Sequence, residues 1–377
     1  MKKIAIIADD LTGANDAGSQ VFLQGYTCCS LNSTSRKPAV SIEVPVYNSS
    51  TRQLSGKKAY NKVKILSSSL LGYDLIYKKT DSTLRGNIGY EIDGCIDALK
   101  TDKAAFVTAF PGLKRCSVYG RLFLGAKVIE NTEFASDVLN PVLSSDIIEL
   151  LKKQSKYKAV LIELDIIRRG PKAVLEFIAE QDRRKNNKVI IYIFDCISLT
   201  DLETISKSLK CFKVIAGAAS LIKYILKKKK RKISGIRYQT AENQAVFIGS
   251  TKTITHSQLG MLRKQTRKKD VIFAVKHGSK GRIFSEKEGK RIDKAFAEAA
   301  IGLIKEGRYG KLVLSGGATA ENIFKALKIN YTLTIGRILT GVPLTYSPER
   351  NLYIVTKPGG YGNKNALVTI YKKLKEL

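Results

Sequence analysis

Short apolar runs, each followed by a stretch with helical spacing, recur along most of this chain. That alternation narrows the open architectures more than any other feature. Strand-like runs cover residues 3–8, 44–48, 75–79, 104–109, 159–163 and 189–194, and helical patterns cover residues 56–66, 88–99, 147–152 and 171–181. Parallel strands need a crossover between them, and a helix is the usual one, so the pattern predicts an α/β fold with a mainly parallel sheet. It resumes downstream, with strands at 246–248, 271–275, 311–314 and 352–355 and helices at 291–305, 319–327 and 364–377. Between the two blocks runs Lys227-Lys228-Lys229-Lys230-Arg231-Lys232, too charged to be buried. A length of 377 residues suits two domains. The expectation is two α/β domains with mainly parallel sheets and an interdomain cleft, divided into residues 1–235 and 236–377.

Composition removes several function classes. The six cysteines form no CxxC pair and only two histidines exist, so zinc spacing is absent and no metal-ligating residue is assigned. The adjacent Cys28 and Cys29 read as a packed strand pair, and reduced thiols point to the cytoplasm. No run is long and apolar enough for a membrane helix, and the first apolar run breaks at Asp9, which argues against a signal peptide. Lys+Arg 65 against Asp+Glu 33 gives a net charge of +32. The lysines are spread along the whole chain and aromatic residues do not interleave with them, so no specific nucleic-acid partner is expected. Anionic small molecules suit the field better.

Chemistry concentrates at strand ends. In IAIIADDLTGANDAG, residues 4–18, an apolar strand stops at Asp9 and Asp10, where open α/β sheets bind ligands. A carboxylate there can orient a hydroxyl or accept its proton, and Asp10 or Thr12 can also cap the next helix. The doublet lacks the Asp-x-Asp spacing of one phosphatase class, and neighbouring side chains on an extended strand point apart. In YKKTDSTLRGNIGYEIDG, residues 77–94, a strand ends in Asp81 and Ser82, with Arg85, Gly86 and Asn87 before a helix. Arg85 can pair a carboxylate bidentately, and Asp81 and Ser82 offer an acceptor and a donor. Residues 108–120, TAFPGLKRCSVYG, carry only a weak loop signal. Downstream, three strands run into glycine turns: Gly249-Ser250-Thr251, Gly316-Gly317 before a helix from Thr319, and KPGGYGN at 357–363. Such turns let backbone approach an anion closely. Gly359, Gly360 and Gly362 can line a nucleotide, and Lys357 can meet its phosphate.

These segments together resemble the four-carbon acid sugar kinases, which include D-threonate, D-erythronate and 3-oxo-tetronate kinases. The resemblance is carried by ADDLTGANDAG (8–18), KKTDSTLRGNIGYEID (78–93), AFPGLKRCSVYG (109–120), TEFASDVLNPV (132–142), LSGGATAENIFKAL (314–327) and TKPGGYGNKNAL (356–367). It implies an N-terminal domain that binds the acid and a C-terminal domain that binds ATP, with Mg²⁺ as the accompanying ion. Carried over, Asp9, Asp10, Arg52, Asp81, Ser82, Arg85 and Asn87 face the acid, with Asp10 or Asp81 as base and Asp9 as a ligand contact or a brace of the turn. Ser250, Gly316, Gly317, Ala318, Thr319, Gly359 and Gly362 face the nucleotide. The chain departs from the family with Thr51-Arg52 in place of Ser-Arg, and with Lys252 where a second serine is common. The expected partners are a small sugar acid and ATP, with no membrane, and a homodimer is left open. The alternative class is a sensor that binds nucleotide and sugar acid without turnover.

Overall fold

The computed structural model describes residues 2–32, 38, 40–137, 140–184, 186, 188–230, 238–275 and 285–377. The strands in chain order are β1 (Ile4–Ala8), β2 (Cys28–Leu31), β3 (Val44–Asn48), β4 (Leu75–Lys79), β5 (Lys103–Val107), β6 (Arg115–Val118), β7 (Arg121–Leu124), β8 (Lys127–Val128), β9 (Lys158–Ile162), β10 (Ile190–Phe194), β11 (Val214–Gly217), β12 (Asn243–Ile248), β13 (Val271–Ala274), β14 (Tyr309–Ser315), β15 (Tyr331–Leu339), β16 (Val342–Ser347) and β17 (Leu352–Lys357). Three helices matter most for the first unit: α1 (Leu11–Leu23), α2 (Gly56–Ser68) and α3 (Ile88–Leu99).

Two compact units form. The first comprises Met1–Gln24 and Glu43–Lys229, and the second Gly25–Ile42 and Lys230–Leu377. The first carries seven parallel strands in the order β3-β1-β4-β11-β5-β10-β9. A small antiparallel sheet, β6-β7-β8, belongs to the same unit. All five residues of β1, β4 and β10 are buried, as expected of strands covered on both faces. Ile7, Ile76, Ile92, Phe106 and Ile191 belong to one apolar cluster against α3.

The second unit is half parallel. Strands β13, β12, β14 and β17 pair in parallel, while β17-β16, β16-β15 and β15-β2 are antiparallel. Strand β2 adds to this sheet by pairing Cys29 with Leu333 and Leu31 with Tyr331. The single division expected at 235/236 therefore leaves out residues 25–42, which group with the second unit. Nothing local distinguishes β2 from the strands beside it in the chain, because its partner lies some 300 residues away. Cys28 and Cys29 are both buried on it, and burial raises both thiols above their ordinary range. Of the expected linker, residues 231–237 lie outside the described residues. Among the described residues no helix is long and apolar enough to cross a membrane.

Candidate active site

In the first sheet β1 lies between β3 and β4, with Ala8 opposite Asn48 on one side and Lys79 on the other. The chain leaving β1 returns to the sheet at β3 on one side, and the chain leaving β4 returns at β5 on the other, which makes the carboxyl ends of β1 and β4 the switch point of the sheet. Ligands bind α/β sheets there because the diverging loops leave a crevice. Asp9 and Asp10 leave β1, Arg52 follows β3, and residues 80–85 leave β4.

Asp10 starts α1. Its backbone is extended and its Oδ1 accepts the Gly13 N–H at 2.8 Å, while Oδ2 accepts the Thr12 hydroxyl at 2.7 Å. This satisfies one of the helix's unpaired donors. Arg52 then ties three carboxylates together. Its Nε and Nη2 donate to the two oxygens of Asp9 at 2.7 and 3.0 Å, and Nη1 donates to Asp10 Oδ2 at 2.6 Å. Nη2 also lies 3.5 Å from Asp81 Oδ2. The loop that aims Arg52 is pinned by the Thr51 and Arg52 N–H groups, which donate to Asp9 O at 2.9 and 3.2 Å.

Asp81 is the second anchor. Its Oδ1 accepts the Thr83 N–H at 2.8 Å and the Thr83 hydroxyl, and its Oδ2 accepts Arg85 Nη2 at 2.8 Å. Arg85 Nη1 reaches Asp137 Oδ2 at 3.0 Å. Arg115 Nη1 donates to Ser82 Oγ. The guanidinium groups of Arg85 and Arg115 both lie over the Phe134 ring, 5.4 and 5.7 Å from its centroid, a favourable cation–π arrangement. Below the turn, Lys78 Nζ and Glu91 Oε2 form a fully buried pair at 2.7 Å.

The cluster favours the ionised form of Asp81 and Asp9. Burial alone would push Asp81 up, but Arg85 and Arg52 hold it well below the usual carboxylate range. Asp9 is treated the same way: burial opposes its charge, and Arg52, Lys78 and Lys79 outweigh it. Glu91 goes the other way, because burial, helped by the nearby Asp9 charge, outweighs Lys78. Of the three strand-end aspartates, Asp10 has the most exposed side chain, at 17% against 9% for Asp81 and 2% for Asp9.

In the second unit the glycine turns follow β12, β14 and β17, which are neighbours in the sheet. They touch one another. A Cβ on Gly249 would overlap Thr319 Oγ1, and a Cβ on Gly359 would overlap Ser250 Oγ. Gly316 N–H donates to Lys357 O at 3.0 Å, and Gly249 N–H donates to Ser315 O at 3.0 Å. Thr255 Oγ1 donates to Gly359 O at 2.7 Å and sits 3.1 Å from Ser250 Oγ. The helix Gly317–Ala326 begins here with no side-chain cap, so its first N–H groups are available to an anion. Lys357 does not face that opening: its side chain is fully buried and turns back on its own loop, donating to Pro358 O and Gly359 O.

Residues 4–225 match the family described as a sugar-binding N-terminal domain, and residues 265–367 match a nucleotide-binding C-terminal domain. The chain belongs to the four-carbon acid sugar kinase family. A D-threonate kinase of Salmonella typhimurium is 24% identical, with 100% of this chain and 99% of the relative covered. A D-erythronate kinase of Heliobacterium modesticaldum is 30% identical over 69% of this chain and 60% of its own length. A crystal structure from Salmonella typhimurium LT2, provisionally described as a tRNA synthase, superposes with a TM-score of 0.85 over 99% of this chain and 100% of its own. At 18% identity that likeness concerns the fold alone.

Within this kinase fold, Asp9, Asp10, Arg52, Asp81, Ser82 and Arg85 come together in one bonded cluster. Asn87 occupies a bracing place, its Nδ2 donating to Thr51 O and Leu54 O at 3.0 and 2.8 Å. Ser250, Gly316, Thr319 and Gly359 adjoin one another in the second unit, while Gly317 and Ala318 open the helix. Gly362 lies farther along, its carbonyl accepting from Gln258 Nε2 at 3.3 Å. Sequence reasoning missed Arg115, Phe134, Asp137, Lys78 and Glu91 as parts of the cluster. Arg115 and Phe134 sat inside motifs already noted for their resemblance, but only the fold brings β6 and residues 132–137 to the end of β4.

Proposed function

We propose that this chain is an ATP-dependent kinase that phosphorylates a hydroxyl of a four-carbon sugar acid. The observation that carries the reading is the interlocked set of Asp9, Asp10, Arg52, Asp81 and Arg85 at the switch point of the first sheet. Alternating carboxylates and guanidinium groups suit a ligand with both hydroxyls and a carboxylate. In this reading Arg85 and Arg115, with Ser82, receive the acid's carboxylate, since Arg52 is committed to its three aspartates. Asp10 accepts the proton of the attacking hydroxyl. Asp81 is the poorer base because its side chain is less exposed than that of Asp10 and because Arg85 and Arg52 hold it well below the usual carboxylate range, so it orients Arg85 instead.

The step is an in-line displacement. The hydroxyl oxygen bonds to the γ-phosphorus, the bond to the departing ADP oxygen breaks, and the hydroxyl proton passes to Asp10 Oδ. The N–H groups of the second unit's glycine turns hold the phosphates. Among the described residues no group of three or more His, Cys, Asp or Glu side chains is arranged to hold a metal. Mg²⁺ would enter with the nucleotide, held chiefly by its phosphates, and would offset charge on the transferring phosphoryl group. Use of ATP and six free thiols, four of them buried, suit a cytoplasmic enzyme.

The test is ATP turnover coupled to ADP detection across D- and L-threonate, D- and L-erythronate and 3-oxo-tetronate. Asp10→Asn is expected to lower kcat by about 10² to 10⁴ with acid binding retained. Absence of turnover with every acid, in protein that binds both ATP and an acid, would sink the kinase reading in favour of a sensor. Full kcat in Asp10→Asn would remove the base assignment alone.

A further inference from the structure

Lys357 is a costly residue for its position. It ends β17, its side chain has no solvent exposure, and no carboxylate pairs with it among the described residues. Burial pushes its ammonium down to about 7. A methionine would fill similar volume without that penalty. What the amine does is hold two successive carbonyls, Pro358 O at 3.1 Å and Gly359 O at 2.7 Å.

In a trans peptide the carbonyl and the following N–H point in opposite directions. Drawing the Pro358 carbonyl inward turns the Gly359 N–H outward, and drawing the Gly359 carbonyl inward turns the Gly360 N–H outward. Neither N–H finds an acceptor among the described residues, although backbone donors are seldom left unpaired away from water. Gly359 is half-buried and Gly360 exposed, so both can meet a ligand. The Lys357 carbonyl meanwhile accepts the Gly316 N–H at 3.0 Å, which joins this turn to the start of the helix Gly317–Ala326.

We propose that Lys357 is the positioning residue of a phosphate cradle: from inside the protein it pins two carbonyls so that the N–H groups of Gly359 and Gly360 converge on a nucleotide phosphate. Successive outward N–H groups form a concave anion site. Lys357 itself touches no phosphate. Its place is behind the loop, unlike that of a phosphate-binding lysine that reaches the ligand directly.

This inference rests on the reading that the second unit binds ATP, and the experiment separates the two. ATP and adenosine binding are measured by calorimetry on the full chain at fixed ionic strength, for wild type, Lys357→Met and Gly360→Pro. Lys357→Met loses the pin, and Gly360→Pro deletes one cradle N–H without touching the core. Both are expected to weaken ATP about 10-fold or more, with adenosine affinity unchanged. ATP affinity within twofold of wild type in folded Lys357→Met overturns the proposal, as does an equal loss for adenosine. If Lys357→Met does not fold, unchanged ATP affinity in Gly360→Pro overturns it. Failure of wild type to bind ATP instead removes the nucleotide reading itself.

Discussion

The two functional regions of this kinase are built from different materials. The proposed acid site of the first unit is a lattice of charged side chains in which Arg52 and Arg85 each meet more than one carboxylate. The glycine turns of the second unit, the proposed nucleotide site, are almost entirely backbone, shaped by missing Cβ atoms and by one buried amine. In the first, geometry depends on charge balance, so removing one group leaves others buried and uncompensated. In the second, geometry depends on space and peptide orientation, so adding an atom does the damage. The comparison can be broken by substitutions that subtract from one region and add to the other.

The largest effect is expected at Arg52. Arg52→Met leaves Asp9, Asp10 and Asp81 facing one another with little solvent to screen them. Removing one partner from such a buried network costs about 3–5 kcal/mol. Denaturant unfolding should show that loss together with abolished acid turnover. A midpoint indistinguishable from wild type would mean that the three aspartates do not depend on Arg52, and the lattice description would fail.

Legibility in the sequence follows the same division. The Asp9–Asp10 doublet and the 77–94 segment stand out because charged residues close apolar strands where open α/β sheets bind ligands, and the structure joins them through Arg52 and Arg85. Strands 44–48 and 75–79 form with the bounds their periodicity predicts. Other features could not be read locally. Residues 331–339 and 342–347 form an antiparallel pair, yet Gly336 and Pro343 interrupt their runs of strand-forming residues. Phe134 and Asp137 reach Arg85 only through tertiary folding. Lys357 looked like a phosphate ligand because lysine beside glycines usually is one, and only its burial and its carbonyl partners reverse that.

An intermediate effect is expected at Gly359. Ala at this position must push Ser250 Oγ aside, and overpacking of this kind costs about 1–3 kcal/mol. The KM for ATP should rise about 10-fold while the KM for the acid stays put. Adding Ser250→Ala should recover part of the loss, more than the single changes would predict by addition. A rise in both KM values would instead indicate a global disturbance, and the spatial account of the turns would need replacing.

The smallest effect tests what the arginines contribute, by turning to a buried aspartate that lacks one. Asp195 follows β10 much as Asp81 follows β4. Its Oδ1 accepts the Gly120 N–H at 3.1 Å, its Oδ2 has no partner, and burial pushes it up to about 6. Between about pH 4 and 6 the folded chain therefore holds a proton there that the unfolded chain has lost, and the contribution of this group to stability falls as pH rises. Asp81 behaves oppositely: held down by Arg85 and Arg52, it contributes fully above the ordinary carboxylate range and loses that contribution only in strong acid. Asparagine at 195 can still accept from Gly120 and carries no charge. Asp195→Asn should gain about 1–2 kcal/mol on wild type between pH 5 and pH 8, read from paired urea melts, with turnover unchanged. A flat difference across that range would show that Asp195 is compensated by water or a neighbour, and that arginine pairing is not what separates the two aspartates.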